Sequence, residues 1–134
     1  MTAAGGVRRS ITKIQRHKTS LLAFVGDVDI AQELTAWFKS GARRGEFPDS
    51  ARGGASTLIQ IKRDASIWNY DSGPVPTKIE NAQAAFGSGF AYAEATMHLG
   101  YSSKEAVEVA CHFQPDCGDG VDTLDLHKGR TSVA

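Results

Sequence analysis

Two short segments open the pattern of apolar and polar positions. Ser10–Gln15 and Ser20–Val25 carry β-branched or large apolar residues, and polar Arg16–Thr19 between them predicts a hairpin. Gly26 ends the second strand. From Asp27 the period changes: Ile30, Leu34, Trp37 and Phe38 recur at helical spacing and share one face. Asp27 suits the N-cap, Asp29 adds negative charge to the first turn, and Gly41, Arg43, Arg44 and Gly45 mark the helix end. Residues 46–56, with Pro48 and Gly53–Gly54, read as a loop. Thr57–Lys62, Ser66–Tyr70 and a segment near Ile79–Phe86 predict three more strands. Arg63–Ala65 is the tight link between the first two, and Asp71–Pro76 is a turn.

Gly87–Ser88–Gly89 closes this β block, and two helices follow. Phe90–Leu99 places Phe90, Ala93 and Met97 on one side, with small Ala91 and Ala95 permitting close approach. Ser102 or Ser103 caps the next helix, where Ser103, Ala106, Val107 and Ala110 continue the pattern to His112. Gln114–Gly120 reads as a loop, Val121–Leu126 alternates as a final strand, and the tail 127–134 is expected to be disordered. The order β-β-α-β-β-β-α-α-β predicts an α+β sandwich rather than a dinucleotide-binding βαβ unit.

Length changes the picture little: 134 residues with 41% apolar and 22% charged side chains suit one domain, 1–126, with its own core. Charge says more. Lys+Arg and Asp+Glu both number 15, so the basic excess of a whole-protein nucleic-acid binder is missing. The balance is uneven, because Arg8, Arg9, Lys13, Arg16 and Lys18 all precede the first acidic residue, Asp27. Three readings of this basic start remain open: a transit peptide without a convincing amphipathic stripe, a nucleic-acid arm without interleaved aromatics, and a strand pair whose cations discourage edge pairing. The third fits best. Apolar runs are too short for a membrane span or a secretory signal, and two cysteines, Cys111 and Cys117, do not make a disulfide framework. The expected setting is cytoplasmic.

The element order and several local motifs together resemble the proteasome β-subunit superfamily, in particular the HslV-type peptidases, which are N-terminal-nucleophile hydrolases. Lys13–Ile14 with Arg16 resembles the family's lysine-bearing strand. Leu22–Asp27 with the helix through Ala31–Phe38 resembles its "apolar strand, glycine, first helix" segment. Ala85–Gly89 followed by Tyr92 and Ala93 resembles its Gly-Ser-Gly turn into a helix, and Ser102–Ala110 then Asp116–Gly120 resemble its last helix and loop. The resemblance spans nearly the whole chain. It implies a four-layer αββα sandwich, a homo-oligomeric ring, delivery of unfolded polypeptide by an ATP-driven unfoldase of the HslU type, and threonine-type peptidase activity.

The same resemblance implies site residues. In such enzymes the N-terminal threonine hydroxyl attacks the peptide carbonyl and its own α-amino group takes the proton, a task suited to a pKa of about 7.7–8.0. Lys13 matches the buried lysine that holds that pKa down. Ser88 and Asp116 match the residues that support the amino group. Read without the family, Lys13 is a strand lysine, Ser88 an N-cap and Asp116 a turn residue. Aligned on Lys13, residue 1 falls beyond the family's catalytic threonine and leading hairpin, so the fold is expected to be N-terminally incomplete and to lack the nucleophile. Thr2 becomes N-terminal if Met1 is removed, but ten residues between Thr2 and Lys13 are too few for two strands and a turn. The alternative function is a non-catalytic structural or partner-binding subunit that retains the fold.

Other clusters carry less. Cys111, His112, Cys117 and His127 fit no zinc-ligand spacing, and adjacent Cys111 and His112 on a helix point about 100° apart. No P-loop or dinucleotide fingerprint is present, so no cofactor is expected. His98 reads as a helix-surface residue, and Trp37 and Trp68 as packing residues.

Overall fold

The computed structural model describes residues 13–80, 83–87, 89–113 and 124–127, which fall into two compact units. One holds a five-stranded antiparallel sheet in the order β1-β2-β3-β4-β5: β1 Ile14–His17, β2 Ser20–Gly26, β3 Ser56–Ile61, β4 Ile67–Tyr70 and β5 Thr77–Ile79. Helix α1, Val28–Lys39, crosses from β2 toward β3. The other unit holds α2, Phe90–His98, and α3, Ser103–Phe113. Among the described residues no helix is long and apolar enough to cross a membrane.

The β1–β2 hairpin forms, but later in the chain than the apolar pattern suggested. Ile14 pairs with Ala23 and His17 with Ser20, so polar Arg16 and His17 belong to the ladder and the turn shrinks to Lys18–Thr19. Lys18 takes φ 55 there. A tight two-residue turn favours this left-handed conformation.

Helix α1 starts where the sequence indicated. Asp27 has extended backbone, and its side chain accepts from the Ile30 N–H at 3.0 Å, satisfying one orphan donor of the first turn. Its inner face buries Ala31, Leu34, Thr35 and Trp37 against the sheet. The core joins Leu22, Leu34, Leu58, Trp37 and Tyr70. Leu22, Leu34 and Leu58 are essentially solvent-free, each contributing about 1.5–3 kcal/mol by burial. Trp37 meets Phe47 and Tyr70 edge-on at 5.0 and 5.4 Å between ring centres, a geometry that sets ring edge against ring face. Its indole N–H donates to the Arg43 carbonyl at 2.8 Å.

The segment read as a loop, 46–56, is partly core. Two 3₁₀ turns, Arg44–Glu46 and Asp49–Gly53, bring Phe47 and Ala51 into the cluster under α1. The Lys62–Ser66 link is closed by Ala65 N–H to Lys62 O at 2.8 Å and Lys62 N–H to Ser66 O at 2.9 Å, with Ala65 at φ 71. Asp64 accepts from the Ser66 amide and hydroxyl, which holds its carboxyl below the usual value.

Alternation gives the sheet two apolar faces. Leu22, Phe24, Leu58 and Tyr70 lie on the α1 side; Leu21 and Ile59, both buried, lie on the opposite side with half-buried Ile61, Ile67 and Ile79.

Two predicted strands are corrected. β5 occupies Thr77–Ile79 rather than 79–86, and described residues 83–86 are not strand. β4 offers only four residues to pair with, so the ladder runs from Ile67–Ile79 to Asn69–Thr77 and stops. Residues 124–126 of the predicted final strand are also not strand. The carbonyls of Asp125 and Leu126 accept from the Arg16 guanidinium, the latter at 3.0 Å, rather than from a ladder partner. Residues 10–12 and 114–123, covered by other predicted elements, lie outside the described residues.

In the helical unit Ala93 and Met97 of α2 pack on Ala106 and Ala110 of α3, with Ala85 alongside. Phe90, expected on the buried side, is 51% exposed, and Thr96 is buried instead. Ser102 caps α3: its hydroxyl accepts from the Glu105 N–H at 3.1 Å, and the Glu105 carboxylate accepts from the Ser102 N–H at 2.9 Å. These bonds hold the Glu105 carboxyl below its usual value.

Candidate active site

At the end of the sheet where β2 turns into α1, two stretches of backbone approach closely. Gly26 stands at φ 100, and a Cβ there would lie 2.2 Å from the Ala55 carbonyl oxygen and 2.8 Å from the Ser56 Cα. Only glycine tolerates both the dihedral and the approach. The Asp27 N–H donates to that same Ala55 oxygen at 3.0 Å. Ser56, buried, donates its hydroxyl to the Asp27 carbonyl at 2.6 Å. The junction therefore fixes the backbone of Gly26 and Asp27 through two neighbours, Ala55 and Ser56, at the start of β3.

Lys13 belongs to this end. Its carbonyl accepts from the Phe24 N–H at 3.1 Å, two residues before Gly26 on the adjacent strand. Its side chain is exposed, where the family resemblance implies burial. Thr2, Ser88 and Asp116 lie outside the described residues. The Gly87–Gly89 turn is described on either side of Ser88: Gly87 has φ 102 and accepts from the Phe90 N–H at 3.2 Å. The N-cap of α2 is Gly89, without a side-chain cap bond. The structure thus places the Lys13 backbone at the Gly26 end of the sheet, on the side of β2 away from β3. Sequence reasoning marked Gly26 only as a strand end and missed Ser56, for which a serine opening a β-strand gives no distinguishing signal.

Elsewhere, an open cleft of about 370 Å³ in the helical unit is lined by Gln83, Glu94, Ala95, Met97 and His98, none of them a predicted site residue. Among the described residues no three His, Cys, Asp or Glu side chains are grouped to hold a metal ion. Two titrating groups near α1 are perturbed. Burial and the charges of Lys18 and Lys39 lower the His17 imidazole, and burial raises the Tyr70 phenol.

The architecture, an antiparallel sheet apolar on both faces with a helix packed on one, is α+β. No family model matches the sequence, and no curated protein matches it. Among solved structures the chain is similar to eukaryotic HslV from Trypanosoma brucei, with a TM-score of 0.65 and 17% identity, over 83% of this chain and 78% of that one. It is also similar to BPH from Thiobacillus denitrificans in complex with epoxomicin, with a TM-score of 0.55 and 15% identity over 90% and 78%. A second structure of that BPH gives 0.54 and 17% over 82% and 75%. The chain has the HslV and proteasome-like fold expected from its motifs.

Proposed function

We propose that this chain is a subunit of a threonine-type endopeptidase of the N-terminal-nucleophile class, acting on unfolded polypeptide in an ATP-dependent system. The observation that carries the reading is the similarity to HslV over 83% of the chain at a TM-score of 0.65. The second apolar face of the sheet, with Leu21 and Ile59, supports a four-layer αββα sandwich, because such a face requires an opposing layer. In this reading the chain works in a cytoplasmic homo-oligomeric ring, supplied by an unfoldase of the HslU type.

The chemistry is acyl transfer. A threonine heading the mature chain attacks the scissile carbonyl, and its α-amino group accepts the hydroxyl proton and passes it to the leaving amine. Water then hydrolyses the ester and restores the threonine. Lys13 supplies positive charge beside the amino group, and Ser88 and Asp116 orient it. Thr2, with Met1 removed, is the weaker candidate for that threonine, because the ten residues between it and Lys13 are too few for two strands and a turn. The Gly26–Ser56 junction supplies a rigid backbone at the Lys13 end of the sheet.

Intact mass and N-terminal sequencing of the natively expressed protein, with and without epoxomicin, test this. A mature chain headed by threonine that binds epoxomicin is the expected result. A native chain beginning at Met1 that ignores the inhibitor overturns it in favour of a non-catalytic structural or partner-binding subunit with the same fold.

A further inference from the structure

We propose that the β1–β2 turn end of the sheet, opposite the Gly26 junction, is a docking surface for an acidic peptide segment of a partner protein. The proposal rests on the charge of that surface and is independent of the peptidase reading.

Register places Leu22, Gln60, Trp68 and Lys78 in one row across β2 to β5, on the face that α1 covers. The helix ends at Lys39, whose ammonium donates to the Gln15 side chain on β1. Past that point the turns contribute exposed cations, Lys18 from β1–β2 and Lys62 and Arg63 from β3–β4, and β5 adds exposed Lys78 within the row. With Lys39 these make five positive charges against the two carboxylates of Asp64 and Glu80, in a chain whose net charge is zero. Among the described residues none of the five is in an ion pair; the described pair, Arg52 with Asp49, lies elsewhere. Asp64 is already bound to the Ser66 amide and hydroxyl. The cations also act on their neighbours: after burial, Lys18 and Lys39 lower the His17 imidazole, and after the bonds from Ser66, Lys62 and Lys78 lower the Asp64 carboxyl.

At ordinary strand spacing the span from the β1–β2 turn to β5 is roughly 15–20 Å, the reach of about six extended residues. A peptide of that length bearing several carboxylates can reach across these cations. Nucleic acid fits less well. The aromatic ring in the row, Trp68, is covered by the Lys62 ammonium at 4.5 Å, so that face is closed to a stacking base. Asp64 and Glu80 also interrupt the cations that a continuous phosphate chain would follow.

The test is fluorescence anisotropy on the intact chain with a labelled Glu-rich peptide of about twelve residues, its Gln counterpart and a poly-dT oligonucleotide as probes. Binding of the Glu peptide, absent for the Gln peptide and falling steeply from about 50 to about 200 mM salt, is expected. The double reversal Lys62→Glu with Lys78→Glu should weaken it at least about tenfold with an unchanged melting temperature. Arg52→Glu, at the Ser56 end of the sheet, should leave it unchanged within about twofold. No binding of the Glu peptide, equal loss in both variants, or tighter binding of poly-dT overturns the proposal.

Discussion

The carbonyl oxygen of Ala55 occupies the space where a side chain on Gly26 would begin. The 2.2 Å separation from that Cβ position joins a left-handed φ of 100, so both space and dihedral exclude any other residue. Because the obstacle is backbone, no rotamer change relieves it. Gly26→Ala should therefore destabilise the fold by about 2–3 kcal/mol or more, measured by urea unfolding. Wild-type stability in that variant would contradict the close approach of β3 to the end of β2.

The core should respond unequally to two large-to-small changes. Leu34 is solvent-free beneath α1, and Leu34→Ala should cost about 2–5 kcal/mol. Phe90 is 51% exposed, and Phe90→Ala should stay within about 0.5 kcal/mol. Denaturant midpoints of the two variants decide it, and equal losses would place Phe90 in the core.

Helix α1 was readable because its signals are local. Asp27, the spacing of Ile30, Leu34 and Trp37, and the Gly41 stop lie within one segment and agree with one another. Phe47 and Ala51 were not readable as core, since 3₁₀ turns of three and five residues are too short to show a period. β5 was displaced because its limits depend on how many residues β4 offers, a non-local fact. For Phe90, helical spacing was a poor guide: α2 lies against α3 through Ala93 and Met97, and its first residue falls outside that contact. Of the candidate site, the structure places Lys13 at the Gly26 end, and the partner that tightens that end, Ser56, comes from thirty residues further along the chain.

His17 gives the sheet a pH dependence of definite sign. Burial, Lys18 and Lys39 hold its imidazole below the ordinary 6.5, while the unfolded chain titrates near that value. Between the two values the unfolded state binds more protons, so this contribution to stability is complete above 6.5 and is lost as pH falls through the lowered native value. His17→Gln should remove that slope from unfolding curves. In NMR titrations Lys39→Gln should move the His17 pKa upward, and a native value at or above 6.5 would contradict the arrangement.

Ala65 closes the β3–β4 turn in a left-handed conformation, φ 71. A β-branched side chain resists this region far more than alanine does. Ala65→Val should lower the melting temperature relative to wild type, and Ala65→Gly should preserve or raise it, because glycine adopts the dihedral without steric cost. Equal melting temperatures for Val and Gly would mean that the turn relaxes to another form.

β5 is three residues long, follows Pro76 and carries Lys78 at its centre. A strand this brief gives an approaching chain almost no rungs to climb, proline withholds a donor where pairing would start, and each new copy would have to set one ammonium against another. The sheet therefore has a stopper on this side. Among the described residues β5 is the last strand on this side of the sheet, and its rim disfavours lateral zippering of one molecule onto the next.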